Sequence, residues 1–315
     1  MKNISLLLLL LSCFFAYGQV KSIVQPVLES FSDLPNIRDF TISSTGQEGY
    51  ISAQSLLGEI SVLVRISKSN GQWIPQSILP FSGKYNDLEP FLSHDNLKLY
   101  FVSNRPKTDS TNVPGDYDIW YVKRENVNEE WGAPINIGAP VNTSYNEFYP
   151  SVSQNNNLYF TSDTPGSKGK DDIFCSVWEN KEYSEPFSLS DSINTEGYEF
   201  NAFISYDESY LIFSGYDRED GNGSGDLYIS FRDNNDIWGK AINLGSDINS
   251  EYMDYCPFVD HESMTLYFTS RRSSFQEVNN FQSLEELINE INMYENGMSR
   301  IYKVDFKNVL FYKNH

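Results

Sequence analysis

One two-strand phrase recurs through this chain, and its period restricts the fold more than any other feature. Asn86-Asp87-Leu88-Glu89-Pro90-Phe91-Leu92-Ser93 is followed by Leu99-Tyr100-Phe101, and Asn146-Glu147-Phe148-Tyr149-Pro150-Ser151-Val152-Ser153 by Leu158-Tyr159-Phe160. A third copy keeps Glu199, Phe203-Ile204-Ser205 and Leu211-Ile212-Phe213, with Ala202 in place of proline. A fourth reads Asp254-Tyr255-Cys256-Pro257-Phe258-Val259, then Leu266-Tyr267-Phe268. The closing phenylalanine falls at 101, 160, 213 and 268, in steps of 59, 53 and 55 residues. A period near 50 residues belongs to propellers, solenoids and arrays.

Each repeat carries four strand signals between turn clusters, which is the content of a propeller blade. The phrase supplies two strands. A Gly- and Asp-rich loop then leads to a third (Asp118-Ile119-Trp120-Tyr121, Asp172-Ile173-Phe174-Cys175, Asp226-Leu227-Tyr228-Ile229). A fourth is read as opening at tryptophan, in Trp131 to Ile135 and Trp238 to Ile242. A fainter copy, with Phe40-Thr41-Ile42-Ser43 and Gln72-Trp73-Ile74-Pro75, comes first. The reading is an all-β, five-bladed β-propeller, with blades centred on 36–85, 86–145, 146–197, 198–251 and 252–312; six blades is the alternative. The last blade has no tryptophan-opened strand, so Val24-Gln25-Pro26-Val27-Leu28 is expected to complete it, removing an exposed sheet edge. The tail from Asn308 to Tyr312 is the other candidate for that place. A helical insertion is expected at about 275–297, where Ser283-Leu284-Glu285-Glu286 forms a capping box. Leu284, Leu287, Ile288 and Ile291 recur at helical spacing, and the apolar face they form is expected to pack on the propeller.

Residues 1–18 read as a signal peptide: Lys2, an apolar run from Ile4 to Phe15, and small residues at Ala16 and Gly18 before a cut at Gln19. Residues 19–315 then form one propeller domain, exported to the periplasm or secreted. Leu10-Leu11-Ser12-Cys13 offers the competing reading of a lipoprotein anchored through Cys13. The run is too short to span a bilayer. The formal net charge of −20 argues against nucleic acid and anionic lipid. Cys175 and Cys256 hold different repeat positions and are expected to be free thiols. No Cys/His cluster suggests a metal, and no cofactor is implied.

The strand pair Glu89-Pro90-Phe91-Leu92-Ser93-His94-Asp95 with Leu99-Tyr100-Phe101-Val102-Ser103 resembles the repeat of the TolB-like, WD-like β-propeller proteins of bacterial envelopes. Asp118 to Tyr121 is similar to the third strand of that family. The resemblance covers about 36–305 and implies a propeller that binds other molecules.

One acid stands at a fixed place after each strand-four-to-one connection: Asp87, Glu147, Glu199 and Asp254. These four are the candidate ligand-binding residues, on the face that also gathers the variable loops. The competing role is to accept from the backbone of their own Asn-Thr/Ser turns. Asp217 to Asp226 has the oxygen content of a calcium loop without the EF-hand spacing, and is read as an acidic turn. His94, His261 and His315 have no nucleophile motif nearby. The function expected from these features is a monomeric, non-catalytic scaffold for a protein or glycan partner at the cell envelope, more binding module than enzyme. The alternative is a glycoside hydrolase working through paired carboxylates.

Overall fold

The computed structural model describes residues 23–31, 33–108 and 112–310; the leader, with Cys13 and the cut at Gln19, lies outside them. Five four-stranded antiparallel sheets form the blades. Blade 1 runs through Asn36–Ile42, Glu48–Gln54, Ser61–Ser69 and Gln72–Ile78. Blade 2 uses Asp87–Leu92, Lys98–Ser103, Asp118–Lys123 and Ile135–Asn136, and blade 3 Glu147–Val152, Leu158–Ser162, Asp172–Ser176 and Phe187–Ser188. Blade 4 uses Tyr198–Ile204, Tyr210–Tyr216, Gly225–Phe231 and Ile242–Asn243, and blade 5 Asp254–Asp260, Thr265–Ser270 and Arg300–Asp305. Each innermost strand packs against those of the neighbouring blades, and the first against the fifth, so the ring is closed.

The strand that completes blade 5 is Gln25–Pro26, with Gln25 opposite Lys303 and Pro26 opposite Tyr302. The N-terminal segment therefore closes the ring, anchored by buried Val24, Leu28 and Phe31. Lys307–Leu310 is a helical turn, so this part of the tail adds no strand. The repeated phenylalanines and the tyrosine before most of them are buried between sheets, which is why the repeat preserves them.

Two expectations need correction. The outermost strands of blades 2 and 4 are two residues long and start after the tryptophan. In blade 2, Pro134 cannot donate to a ladder. Trp131 instead packs its buried ring on Tyr50, donating its Nε1–H to the hydroxyl at 3.0 Å, with the Arg124 guanidinium 4.3 Å from the ring. The inserted helix, Leu284–Ile291, has Ser283 as its N-cap but buries no residue. Leu284, Ile288 and Ile291 are 70%, 47% and 52% exposed, so the apolar face does not pack on the propeller. The insertion is tied down after the helix, where Tyr294 donates to the Ile301 carbonyl at 2.7 Å and rests on Tyr302. Among the described residues no helix is long and apolar enough to cross a membrane.

Candidate functional site

The four repeat acids are fully buried and turned into their own connections. Glu147 accepts from the Thr143 amide at 3.1 Å and hydroxyl at 2.6 Å, Glu199 from both groups of Thr195 at 2.7 Å, and Asp254 from the Ser250 hydroxyl at 2.7 Å. Asp87 accepts from Ser82 at 2.8 Å and Arg105 at 2.6 Å. Arg218 and Arg272 repeat the arginine in blades 4 and 5, at 3.5 and 3.0 Å from Glu199 and Asp254. Burial pushes Glu147 up to about 7 and raises Glu199 as well. Each carboxylate closes a loop with the residue four positions before it or with an arginine, an arrangement that organises backbone.

A second ring lies at the axis, and the sequence reading missed it. All five innermost strands carry a β-bulge. At the bulge, Asp39, Glu89, Tyr149, Asn201 and Cys256 have φ between 49° and 57°, the left-handed region that non-glycine residues rarely enter. Such strain is held where surrounding structure determines it, and often at functional sites. Here hydroxyls from the second strand of the preceding blade hold it: Thr269 takes the Asp39 amide at 3.1 Å, Ser52 that of Glu89 at 3.0 Å, and Thr161 that of Asn201 at 3.1 Å. Blade 2 has Val102 at this position. The Tyr149 amide instead donates to the Glu89 carboxylate at 2.7 Å, so the missing hydroxyl leaves that carboxylate with a positioning role.

Arg38 joins the two axial acids. Its Nε donates to Asp39 at 2.9 Å and its Nη2 to Glu89 at 2.7 Å. The Glu89 amide also donates to Asp39 at 3.0 Å, and Asn201 Nδ2 to Glu89 at 3.3 Å. Asp39 and Glu89 are 1% and 4% exposed, whereas the Arg38 side chain is 16% exposed and lies 5.1 Å from the Tyr255 ring. The guanidinium is thus the most exposed part of this cluster, with the Tyr255 ring beside it. Burial raises the Glu89 carboxyl well above its ordinary range, against the pull of Arg38 and with a push from Asp39.

The opposite channel mouth is a small recess lined by Phe91, Phe203 and Phe258. His94 stacks on Tyr206 there at 4.1 Å, and His261 Nε2 lies 3.3 Å from the Tyr210 hydroxyl. Both cysteines are free and buried. Cys256 faces Asn201 and Arg38 at 3.4 and 3.3 Å. Among the described residues no group of three or more His, Cys, Asp and Glu side chains is placed to hold a metal ion.

No family model matches the sequence. No curated protein matches it either. The fold does match solved structures. The α-L-arabinofuranosidase PaAbf62A from Podospora anserina, in complex with cellotriose, superposes with a TM-score of 0.54 at 11% identity, over 89% of this chain and 94% of that one. An endo-arabinase from Bacteroides thetaiotaomicron gives 0.51 at 14% identity, over 80% and 94%. The Bacillus subtilis arabinanase Arb43A gives 0.50 at 12%, over 89% and 94%. At these identities the likeness is one of fold, and it agrees with the five-bladed propeller.

This finding corrects the non-catalytic scaffold and the reading against an enzyme. The three solved propellers named above are an arabinofuranosidase and two arabinanases, and the two acids that meet in this fold, Asp39 and Glu89, lie in a different place from the four singled out by the repeat.

Proposed function

We propose that this chain is a carbohydrate-active propeller that hydrolyses a glycosidic bond at its axial carboxylates. The observation that carries the reading is the pair Asp39 and Glu89 on one guanidinium, with the Glu89 carboxyl raised by burial. Glycoside hydrolysis uses one carboxyl as general acid and a second carboxylate as nucleophile or base. A buried glutamic acid with a raised pKa suits the first role, and Asp39 takes the second. A saccharide entering from the loop-bearing face must move Arg38 off the pair. Once displaced, the guanidinium no longer stabilises the ionised form of Glu89, which favours the proton that the general acid delivers. The arabinan-directed activities of the fold relatives make arabinose-containing glycans the first substrates to try. The TolB-like likeness rests on the blade motif, and we infer from it only how the blades are written.

The purified chain is expected to release p-nitrophenol from an aryl α-L-arabinofuranoside or reducing ends from arabinan. Glu89→Gln should lower kcat/KM by about 10²–10⁴-fold, the usual contribution of a general acid, with the circular dichroism of the folded protein retained. A wild-type chain inert on aryl glycosides and arabinan, or a Glu89→Gln variant as active as wild type, would refute the assignment.

We further infer from residues 1–18 that the activity lies in the periplasm or outside the cell. A secreted chain whose mass corresponds to a start at Gln19 is the expected result; a lipid-modified Cys13 would instead make it a membrane-anchored lipoprotein.

A further inference from the structure

One ladder position at the start of the third strand carries Asp118, Asp172 and Asp226 in blades 2, 3 and 4 and Arg300 in blade 5. This residue sits against the connection to the following blade, and in three blades the structure balances it visibly. In blade 2 the Lys107 ammonium lies 3.1 Å from Asp118 Oδ1 and donates to the Thr143 carbonyl at 2.9 Å. In blade 3 the Lys168 and Gly169 amides and the Ser188 hydroxyl share the two oxygens of Asp172, at 3.0, 3.2 and 2.6 Å. In blade 5 Arg300 itself donates to the Leu34 and Pro35 carbonyls, at 3.2 and 2.7 Å.

Blade 4 differs. Asp226 is 1% exposed, and its Oδ2 accepts from the Asn222 amide at 2.5 Å and from Asn243 at 3.3 Å. The Gly223 amide also faces the carboxylate. Its Oδ1 is buried without a hydrogen-bond partner. The cation of this loop, Arg218, is drawn away to Glu199 and the Ile193 carbonyl, while Asp217, Glu219 and Asp220 add negative charge. Two glycines let the backbone pack closely on either side. A β-carbon at Gly221 would lie 2.6 Å from Asp226 Oδ2, and one at Gly223 would run into the carbonyl oxygens of Ser250 and Tyr252. Ser250 is the counterpart of Thr143, whose carbonyl takes the lysine in blade 2.

We propose that blade 4 binds a hard divalent cation of the calcium class between the 217–226 loop and the 250–252 connection, where blade 2 places the Lys107 ammonium. The donors are a carboxylate oxygen and backbone carbonyls, with no imidazole or thiolate, and oxygen-only sets with excess negative charge select calcium-like ions. The proposal stands apart from the glycosidase reading.

Thermal unfolding of the full chain in EDTA and in millimolar calcium chloride tests it. Calcium is expected to raise Tm saturably, by about 5 °C when well above its Kd. The rise should persist in Glu89→Gln and in Asp118→Asn and vanish in Asp226→Asn. No rise in wild type, or an undiminished rise in Asp226→Asn, overturns the proposal. Should Asp226→Asn fail to fold, terbium titration of the wild-type chain decides. Luminescence excited through Tyr228 and Tyr252 and displaced by calcium supports the site, and absence of a sensitised signal overturns it.

Discussion

Deleting residues 20–28 is expected to cost the fold several kcal/mol, a large share of the 5–15 kcal/mol typical of a domain. The segment supplies the outer strand of blade 5, and its Val27 amide donates to the Ile301 carbonyl at 3.1 Å. Val24 and Leu28, 7% and 1% exposed, leave the core with it, and full burial of such side chains contributes about 1.5–3 kcal/mol each. Arg300–Asp305 would become an open edge able to pair with another chain. Urea unfolding should show a clearly lower midpoint, with concentration-dependent association of the truncated chain. A midpoint equal to that of the intact protein would mean that the ring is held shut by other contacts.

Replacing Arg38 by alanine should be about as costly, on the order of 3–5 kcal/mol, because it strands two buried carboxylates without their cation. The cost should depend on pH in a definite direction. The folded-state pKa of Glu89 is raised by burial and by Asp39, while Arg38 restrains the rise. A carboxyl with a raised folded pKa contributes stability that is full below its unfolded value and is lost as pH rises through the folded value. Removing Arg38 lifts the folded value further and widens that window. The variant should therefore be destabilised more at pH 8 than at pH 5, where Glu89 takes up a proton and relieves the repulsion with Asp39. Denaturant midpoints at the two pH values measure this, and an equal loss at both would show that the guanidinium does not govern the ionisation of the pair.

Much of this architecture was legible in the chain. The spacing of Phe101, Phe160, Phe213 and Phe268 gave the blades, and the lack of a fourth strand signal after Arg300–Asp305 pointed to closure by the N-terminal strand, because a closed ring needs every edge paired. Ser283 announced the inserted helix, since capping is a local interaction. The outward turn of its apolar face was not legible: which surface a helix meets is decided by how its insertion is tethered, here through Tyr294.

The candidate site divides the same way. The sequence by itself determined that an acid recurs at Asp87, Glu147, Glu199 and Asp254, and Thr143, Thr195 and Ser250, four positions before the last three, were enough to suggest a local bond. Only the tertiary structure decided that Asp39 and Glu89 meet. They come from different blades, and each reaches the axis through a bulge that breaks the two-residue alternation from which strand faces are read. The one visible trace was that residue type changes freely at Asp39, Glu89, Tyr149, Asn201 and Cys256 while proline recurs one position on, at Pro90, Pro150 and Pro257. A repeating scaffold needs the same packing in every blade. The axis is a single place shared by all five, so each blade can bring a different side chain to it.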